Sequence, residues 1–245
     1  MARNHSAGLT LAVAGAMLTS IFGHPARAYI DPAPLLLEKA AAARARLEYE
    51  TLVAEGRRFE PGASPAPVWD GVWTNHAHRR EVRRDDGVDT ILTIERRRWR
   101  FGDEGPGEPT RIRPDPMQVF VVDATEDPNG RRGLALLKSY AIDPEVVSMS
   151  RQEGRPVYVI GAKPWEPERP QLWLDAELLT PARLVFFVDG VRHDLRWLGF
   201  GSPITGPFFP RSYEERVDEE LVLRIEYARV EPNAPIDERR FRAPR

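Results

Sequence analysis

The sequence of 245 residues contains no cysteine. This excludes a disulfide framework, a thiolate-bound zinc site, a cysteine nucleophile and a lipid anchor on cysteine. Lysine is scarce too, because only Lys39, Lys138 and Lys163 are found among the 35 basic residues. The formal net charge of −2 gives the whole chain no attraction for nucleic acid. With 42% hydrophobic residues the chain is too apolar to be disordered, so it is predicted to be globular.

The first 28 residues have the three parts of a signal peptide in the usual order. Arg3 and His5 give a basic start, residues 8–22 are uncharged and mostly apolar, and residues 26–28 have a small-x-small pattern. The apolar stretch is shorter than the roughly 20 residues of a membrane-spanning helix, and no later segment approaches that length. We therefore predict cleavage after Ala28, export, and a single mature domain over residues 29–245; a buried N-terminal helix is the alternative.

Hydrophobic periodicity divides the mature chain into an opening helix and many strands. Leu36, Ala40, Ala43 and Leu47 fall on one helical face, which predicts a helix over about 32–46, and residues 133–140 repeat the pattern. Asp-Gly pairs at 86–87 and 189–190 predict hairpins, the first with a continuous segment 88–101. Further strands are predicted at 117–123, 146–151, 156–161, 171–175, 184–188, 191–198 and 221–230. No helix-length spacer separates the last hairpins, so the predicted fold class is α+β with one large antiparallel sheet.

Two of these strands, 156–161 and 184–188, are apolar on both faces. Such strands need cover on both sides. The cover is either the protein's own core and helices or another apolar molecule.

Motifs for catalysis are missing from the sequence. It has no HExxH, P-loop, GxSxG or kinase signature, so we predict no enzyme activity, no catalytic residue and no cofactor. His76 and His78 have a spacing that places two imidazoles on one side of a strand, with Glu81 or His193 as a third metal ligand. The stronger interpretation is a solvent-facing strand end beside two arginines, and we predict no metal site.

Arginines are densest on either side of the first predicted hairpin. Arg79, Arg80, Arg83 and Arg84 precede its turn, and Arg96, Arg97, Arg98 and Arg100 follow around Trp99. In one hairpin the two runs would be neighbours and form a cationic patch for acidic lipid headgroups or an acidic envelope protein. We therefore assign the second run to partner binding, although a solvated face balanced by nearby acidic residues explains the pattern more simply.

The second half of the chain resembles a known family. Residues 157–161 (Val-Tyr-Val-Ile-Gly), 172–175 (Leu-Trp-Leu-Asp) and 179–184 (Leu-Thr-Pro-Ala-Arg-Leu) occur in order, followed by 208–210 (Phe-Phe-Pro) and the strand 221–230. This series, over roughly 117–245, looks like the outer-membrane lipoprotein-sorting (LolA/LolB-like) family of periplasmic lipid carriers.

The resemblance implies a strongly curved antiparallel sheet, an incomplete β-barrel, with a helical lid and an apolar cavity for acyl chains. It implies a periplasmic, non-catalytic carrier of a lipid or lipidated protein, soluble and in transient contact with membranes, with no nucleic-acid partner. The missing cysteine excludes the lipid-anchored branch of the family. An envelope protein-binding or sensor module on the same fold is the alternative function. Six side chains are predicted to line the cavity: Tyr158, Ile160, Trp173, Phe186, Leu223 and Ile225.

Overall fold

The structure is a computed structural model that describes residues 30–102, 105–123, 127 and 129–244. The predicted signal peptide and its cleavage point after Ala28 lie outside the described residues. Within the described ranges, no helix combines the length and the apolar character needed to cross a membrane.

Two α-helices and fourteen strands make up the described chain. The helices are α1 (Ala33–Ala45) and α2 (Arg131–Ser139). The strands before α2 are β1 (Thr51–Phe59), β2 (Ala66–Trp73), β3 (Ala77–Arg84), β4 (Gly87–Ile94), β5 (Arg97–Gly102), β6 (Gly105–Pro106) and β7 (Thr110–Arg111). The strands after α2 are β8 (Val147–Gln152), β9 (Arg155–Ile160), β10 (Gln171–Asp175), β11 (Pro181–Val188), β12 (Val191–Leu198), β13 (Ser212–Val217) and β14 (Glu220–Pro232).

All strands belong to one antiparallel sheet. Its order is β6-β5-β4-β3-β2-β1-β14-β13-β12-β11-β10-β9-β8, and β7 also pairs with β5. The outermost described strands do not pair with each other, so the sheet is an open half-barrel, and the predicted α+β fold class is confirmed. We call β1–β7 the first half and β8–β14 the second half; they meet where β1 pairs with β14.

Both predicted Asp-Gly hairpins are present. Asp189 and Gly190 form the turn between β11 and β12 with φ of 51° and 83°, the left-handed values that a two-residue hairpin turn requires. The predicted continuous segment 88–101 is wrong, because a second turn at Glu95 separates β4 from β5. Glu95 takes a φ of 52° there without a glycine or asparagine to mark the turn.

The predicted strand at 117–123 is also wrong. Residues Gln118–Val122 form a π-helical turn, and every side chain in it is buried. Since the turn is enclosed on all sides, its sequence after Gln118 is continuously apolar, and such a run does not distinguish a buried strand from a buried helical turn.

Helices cover one side of the sheet, which we call the inner face. The lid, defined as α1, the π-helical turn and α2, packs its three parts against one another. Its apolar side chains join one large core with the inner face, including Leu36 and Leu37 of α1 and Phe120 of the π-helical turn.

A smaller core covers the outer face of the first half. Phe241, in a 3₁₀ turn (Glu238–Phe241), packs against Trp69 and Trp73 with ring centroids 6.2 and 6.5 Å away. Gly71 lies between those tryptophans, and a Cβ atom there would be 2.2 Å from Trp69 and 2.7 Å from Phe241. Glycine at this position leaves the space that the C-terminal turn fills.

Candidate functional site

The inner face of the second half is apolar. Ile160 of β9 and Ile225 of β14 are fully buried there, and Leu223 is 8% exposed. Tyr158 and Phe186 are half-buried against the same core. Trp173 does not share this face: it packs on the outer side against a small cluster of Val157, Val159, Ala162 and Ala182. Five of the six side chains predicted to line a cavity therefore lie on one surface.

The lid fills the space above this surface. Leu36 and Leu37 are each 1% exposed within the shared core. A cavity between α1, the π-helical turn and α2 measures about 10 Å³, no more than the space that a single water needs. The lid is closed in this structure, and its own side chains occupy the place where the family resemblance implies acyl chains.

A buried arginine holds the first helix of the lid. Arg44, 2% exposed, donates hydrogen bonds to the carbonyls of Pro207 and Phe208 and, at 2.8 Å, to the hydroxyl of Tyr49. Tyr49 in turn donates to the Val121 carbonyl at 2.8 Å. Burial raises the pKa of Tyr49, so its hydroxyl stays protonated and donates this bond. We call Arg44 and Tyr49 the lid latch, because they join α1 to a loop of the half-barrel and to the π-helical turn.

Sequence reasoning missed the latch. Arg44 lies four residues after Ala40 on the buried side of α1. A single charge on an apolar helical face was the available signal.

The inner face of the first half contains a polar network, set among apolar core residues such as Leu52 and Val72. Asp70 of β2 is fully buried and accepts hydrogen bonds from Arg80 at 2.7 Å and Tyr227 at 2.7 Å, and His78 lies 2.8 Å away. Burial by itself would raise the pKa of Asp70, but the Arg80 guanidinium and the His78 hydrogen bond outweigh it and hold that pKa well below its usual range. The carboxylate is therefore ionised, and it fixes side chains from β2, β3 and β14.

An inner cavity of about 200 Å³ opens beside this network. Arg58, Arg80, Arg98 and Arg100 line it together with His78, Asp115, Tyr213 and Glu215. Leu223, Met117 and Trp197 also line it and connect it to the apolar core. The cavity thus lies between the Asp70 network and the apolar core, with lining residues from both halves.

The structure separates the two arginine runs. β4 lies between β3 and β5, so the prediction that residues 79–84 and 96–100 are on adjacent strands is wrong, and only Arg80 of the first run shares the inner cavity with Arg98 and Arg100. The second run also divides between two surfaces. Arg98 and Arg100 line the inner cavity, whereas Arg96 and Arg97 line an edge groove of about 600 Å³ between β5, β7 and the lid.

Most of the arginines on the described strands form ion pairs with nearby carboxylates. On the outer face of the second half, the fully buried Asp194 accepts hydrogen bonds from Arg183 and Arg196, and Arg192 lies 3.4 Å away. Burial would raise the pKa of Asp194, but the Arg183 and Arg196 hydrogen bonds lower it. Such planar, bidentate contacts suit arginine better than lysine.

The two histidines of the proposed metal pattern do not act together. His76 packs against Trp73 with ring centroids 4.2 Å apart and a tilt of 41°, and His78 pairs with Asp70. Glu81 binds Arg79, and His193 stacks on Phe186. Among the described residues no three His, Asp or Glu side chains are grouped to hold a metal ion.

Solved structures share this architecture. No protein-family model matches the sequence, and no curated protein matches it. A LolA superfamily protein from Nitrosomonas europaea superposes with a TM-score of 0.51 at 16% identity, over 87% of this chain and 99% of that one. The chain has the LolA-superfamily fold.

Two other structures support the same LolA-type fold. A putative outer membrane lipoprotein-sorting protein domain from Vibrio parahaemolyticus gives a TM-score of 0.53 at 11% identity, over 85% of this chain and 95% of that one. A DUF1329 family protein from Desulfovibrio piger gives 0.53 at 11% identity, over 86% and 98%. The predicted resemblance is therefore confirmed for the fold.

Proposed function

We propose that the protein is an exported, periplasmic carrier that holds the acyl chains of a lipid or lipidated protein without catalysing a reaction. The observation that carries this proposal is the arrangement of the inner face. An apolar surface, with Tyr158, Ile160, Phe186, Leu223 and Ile225 on it, is covered by a helical lid that is fastened by a polar latch. A structural neighbour named as a lipoprotein-sorting domain supports the same use of the fold.

Cargo enters, in this proposal, by replacing the lid. Leu36, Leu37 and Phe120 pack on the surface that acyl chains would take. Each buried methylene group contributes about 0.8 kcal/mol, so a long chain competes effectively with a few lid side chains. Opening then requires the Arg44 hydrogen bonds to break, and closing restores them.

Purified mature protein and a fluorescent fatty acid test the proposal. We expect saturable binding that is competed by unlabelled lipid, and a lipid or acylated peptide in mass spectra of gently extracted protein. Ile160→Asp, which puts a charge on the apolar surface, should abolish binding. Arg83→Gln, an exposed change elsewhere on the sheet, should leave it intact. Protein that binds no acyl chain in either assay would refute the carrier function.

A second candidate function, binding of an acidic envelope protein, is favoured by the edge groove. Arg96, Arg97 and Arg111 are exposed at its rim, and its walls include Val119 and Ala135. Arg96→Ser together with Arg97→Ser should then abolish capture of that partner while acyl-chain binding persists. Unchanged capture would remove the groove from consideration.

A further inference from the structure

The inner cavity contains guanidinium groups whose hydrogen-bonding capacity is only partly used. Arg98 and Arg100 are two residues apart on β5 and line the same cavity. The buried Nε of Arg98 has no hydrogen-bond partner in the described part of the chain. The carboxylate oxygens nearest to these two side chains are 3.8 Å away on Asp115 and 3.9 Å away on Asp89, both beyond hydrogen-bond distance.

The other two arginines of the cavity form close ion pairs. Arg80 is held by Asp70 at 2.7 Å and Arg58 by Glu60 at 2.5 Å. Two carboxylates, Asp115 and Glu215, line the cavity against four guanidinium groups. Since Glu60 and Asp70 compensate the charges of Arg58 and Arg80, the guanidinium donors left over in the lining are those of Arg98 and Arg100.

Asp115 belongs to the segment that enters the lid. Its Oδ1 accepts a hydrogen bond from the Met117 backbone N–H at 2.7 Å, at the start of the π-helical turn, while its Oδ2 faces Arg98. In the proposed carrier cycle the lid moves away together with this carboxylate, which leaves the cation on β5 uncovered. In the closed form, the Asp115 carboxylate therefore lies beside Arg98, where an anionic ligand would bind.

We propose that the inner cavity binds the anionic headgroup of the cargo, a phosphate or carboxylate, through Arg98 and Arg100, and that Asp115 occupies this position when the carrier is empty. The inference rests on the proposed carrier function and adds the chemical class of its ligand, an acidic amphiphile. Paired guanidinium donors match the oxygens of phosphate and carboxylate groups. The apolar lining of Leu223 and Met117 leads from the headgroup to the surface for the chain.

The test compares ligands with one acyl chain and different headgroups. Lysophosphatidic acid and a fatty acid are anionic, monoacylglycerol is neutral, and inorganic phosphate lacks the chain. Displacement of a fluorescent fatty acid measures each affinity. We expect the two anionic amphiphiles to bind about tenfold more tightly than monoacylglycerol, because a hydrogen bond to a charged group contributes about 1.5–3 kcal/mol. Phosphate alone should not displace the probe.

Variants locate the effect. Arg98→Gln combined with Arg100→Gln should lower the affinity for lysophosphatidic acid about tenfold and leave monoacylglycerol unchanged. Asp115→Asn should raise the affinity for the anionic ligands severalfold, since Asn retains an oxygen for the Met117 N–H but loses the competing charge. Arg83→Gln, an exposed change on β3, is the matched control and should change neither.

The outcomes separate the two proposals. If no amphiphile binds, the carrier function itself fails. If monoacylglycerol binds as tightly as lysophosphatidic acid, or the β5 variants do not discriminate between them, the carrier stands and the headgroup site is refuted. If phosphate alone displaces the probe as well as lysophosphatidic acid does, the cavity is a site for a free anion and not for a lipid headgroup.

Discussion

Both halves of the half-barrel are built of similar antiparallel strands, but their inner faces differ in polarity. In the first half the inner face contains the buried Asp70, which is held by Arg80 and His78 of β3 and by Tyr227 across the seam on β14. The inner face of the second half has buried apolar side chains such as Ile160 and Leu172 instead. An ionic network has specific geometry and holds strands in one register, whereas an apolar surface accepts any chain of suitable shape. The difference assigns a fixed polar framework to one half and an adaptable apolar surface for the acyl chain to the other.

The largest expected loss of stability comes from disrupting the Asp70 network. Asp70→Ala leaves the buried guanidinium of Arg80 without its carboxylate and should destabilise the fold by about 3–5 kcal/mol. Urea denaturation monitored by tryptophan fluorescence measures the change. Glu231→Ala, which removes an exposed carboxylate from an ion pair with Arg229 on β14, is the control and should cost less than about 1 kcal/mol. Equal effects would show that the Asp70 network is not a special feature of the first half.

Truncating a side chain of the apolar surface should lower the free energy of unfolding slightly less and lower the affinity for acyl chains more. Leu172→Ala removes a fully buried side chain of β10 and should destabilise by about 2–4 kcal/mol. It should also weaken the binding of the neutral monoacylglycerol at temperatures where the variant is folded, whereas Asp70→Ala should not, because this ligand has no anionic headgroup for the inner cavity. If the Asp70 variant loses binding and the Leu172 variant keeps it, the roles of the halves are the reverse of those proposed.

Acid should act mainly through the buried carboxylates. The pKa of Asp70 is lowered on folding, so its contribution to stability is complete above its unfolded value near 4 and is lost as the pH falls below that value. We expect the wild type to lose about 2 kcal/mol between pH 5 and pH 2 through this group. Asp70→Asn should flatten that part of the pH profile. A profile identical to that of the wild type would place the acid sensitivity elsewhere, with Asp194 as the next candidate because its pKa is also lowered.

The smallest expected effect concerns the lid. Arg44→Met keeps much of the side-chain volume but removes the donors to Pro207, Phe208 and Tyr49. The lost hydrogen bonds are partly offset because no charge remains buried, so the closed lid should weaken by about 1 kcal/mol. Hydrogen exchange should become about fivefold faster in α1 and stay unchanged in β10–β12. Uniform acceleration across the sheet would mean that Arg44 supports the whole fold and is not a latch.

Local patterns predicted the second half better than the first. Strands β10 and β12 have the predicted bounds because each is framed by turn residues. β13 was missed because Ser212–Val217 is largely charged, with Glu214 and Arg216 on its outer side. The turn at Glu95 has no local signal either. Pattern reasoning fails where the neighbours of a strand, and not its own residues, decide its conformation.

The candidate site was predictable only where it is apolar. Alternation within β14 placed Leu223 and Ile225 on the inner face. The partners of Asp70 come from different strands, and Tyr227 is 157 positions away, a distance that no periodicity spans. The inner cavity was likewise beyond sequence reasoning, since the pairing of β4 with both β3 and β5 decides which arginines line it.

The seam between β1 and β14 sets how the molecule reaches its native state. Thr51 and Ala234, 183 positions apart, are joined there by a hydrogen bond of 2.6 Å. Each half is a series of local hairpins that form quickly, but the central pairing requires closure of a very long loop. The rate-limiting step is therefore expected to be the docking of two preformed hairpin arrays. Until this docking occurs, the edges of β1 and β14 have unpaired backbone groups that can pair with the same strands of another molecule. Aggregation during folding is therefore expected to begin at these two strands.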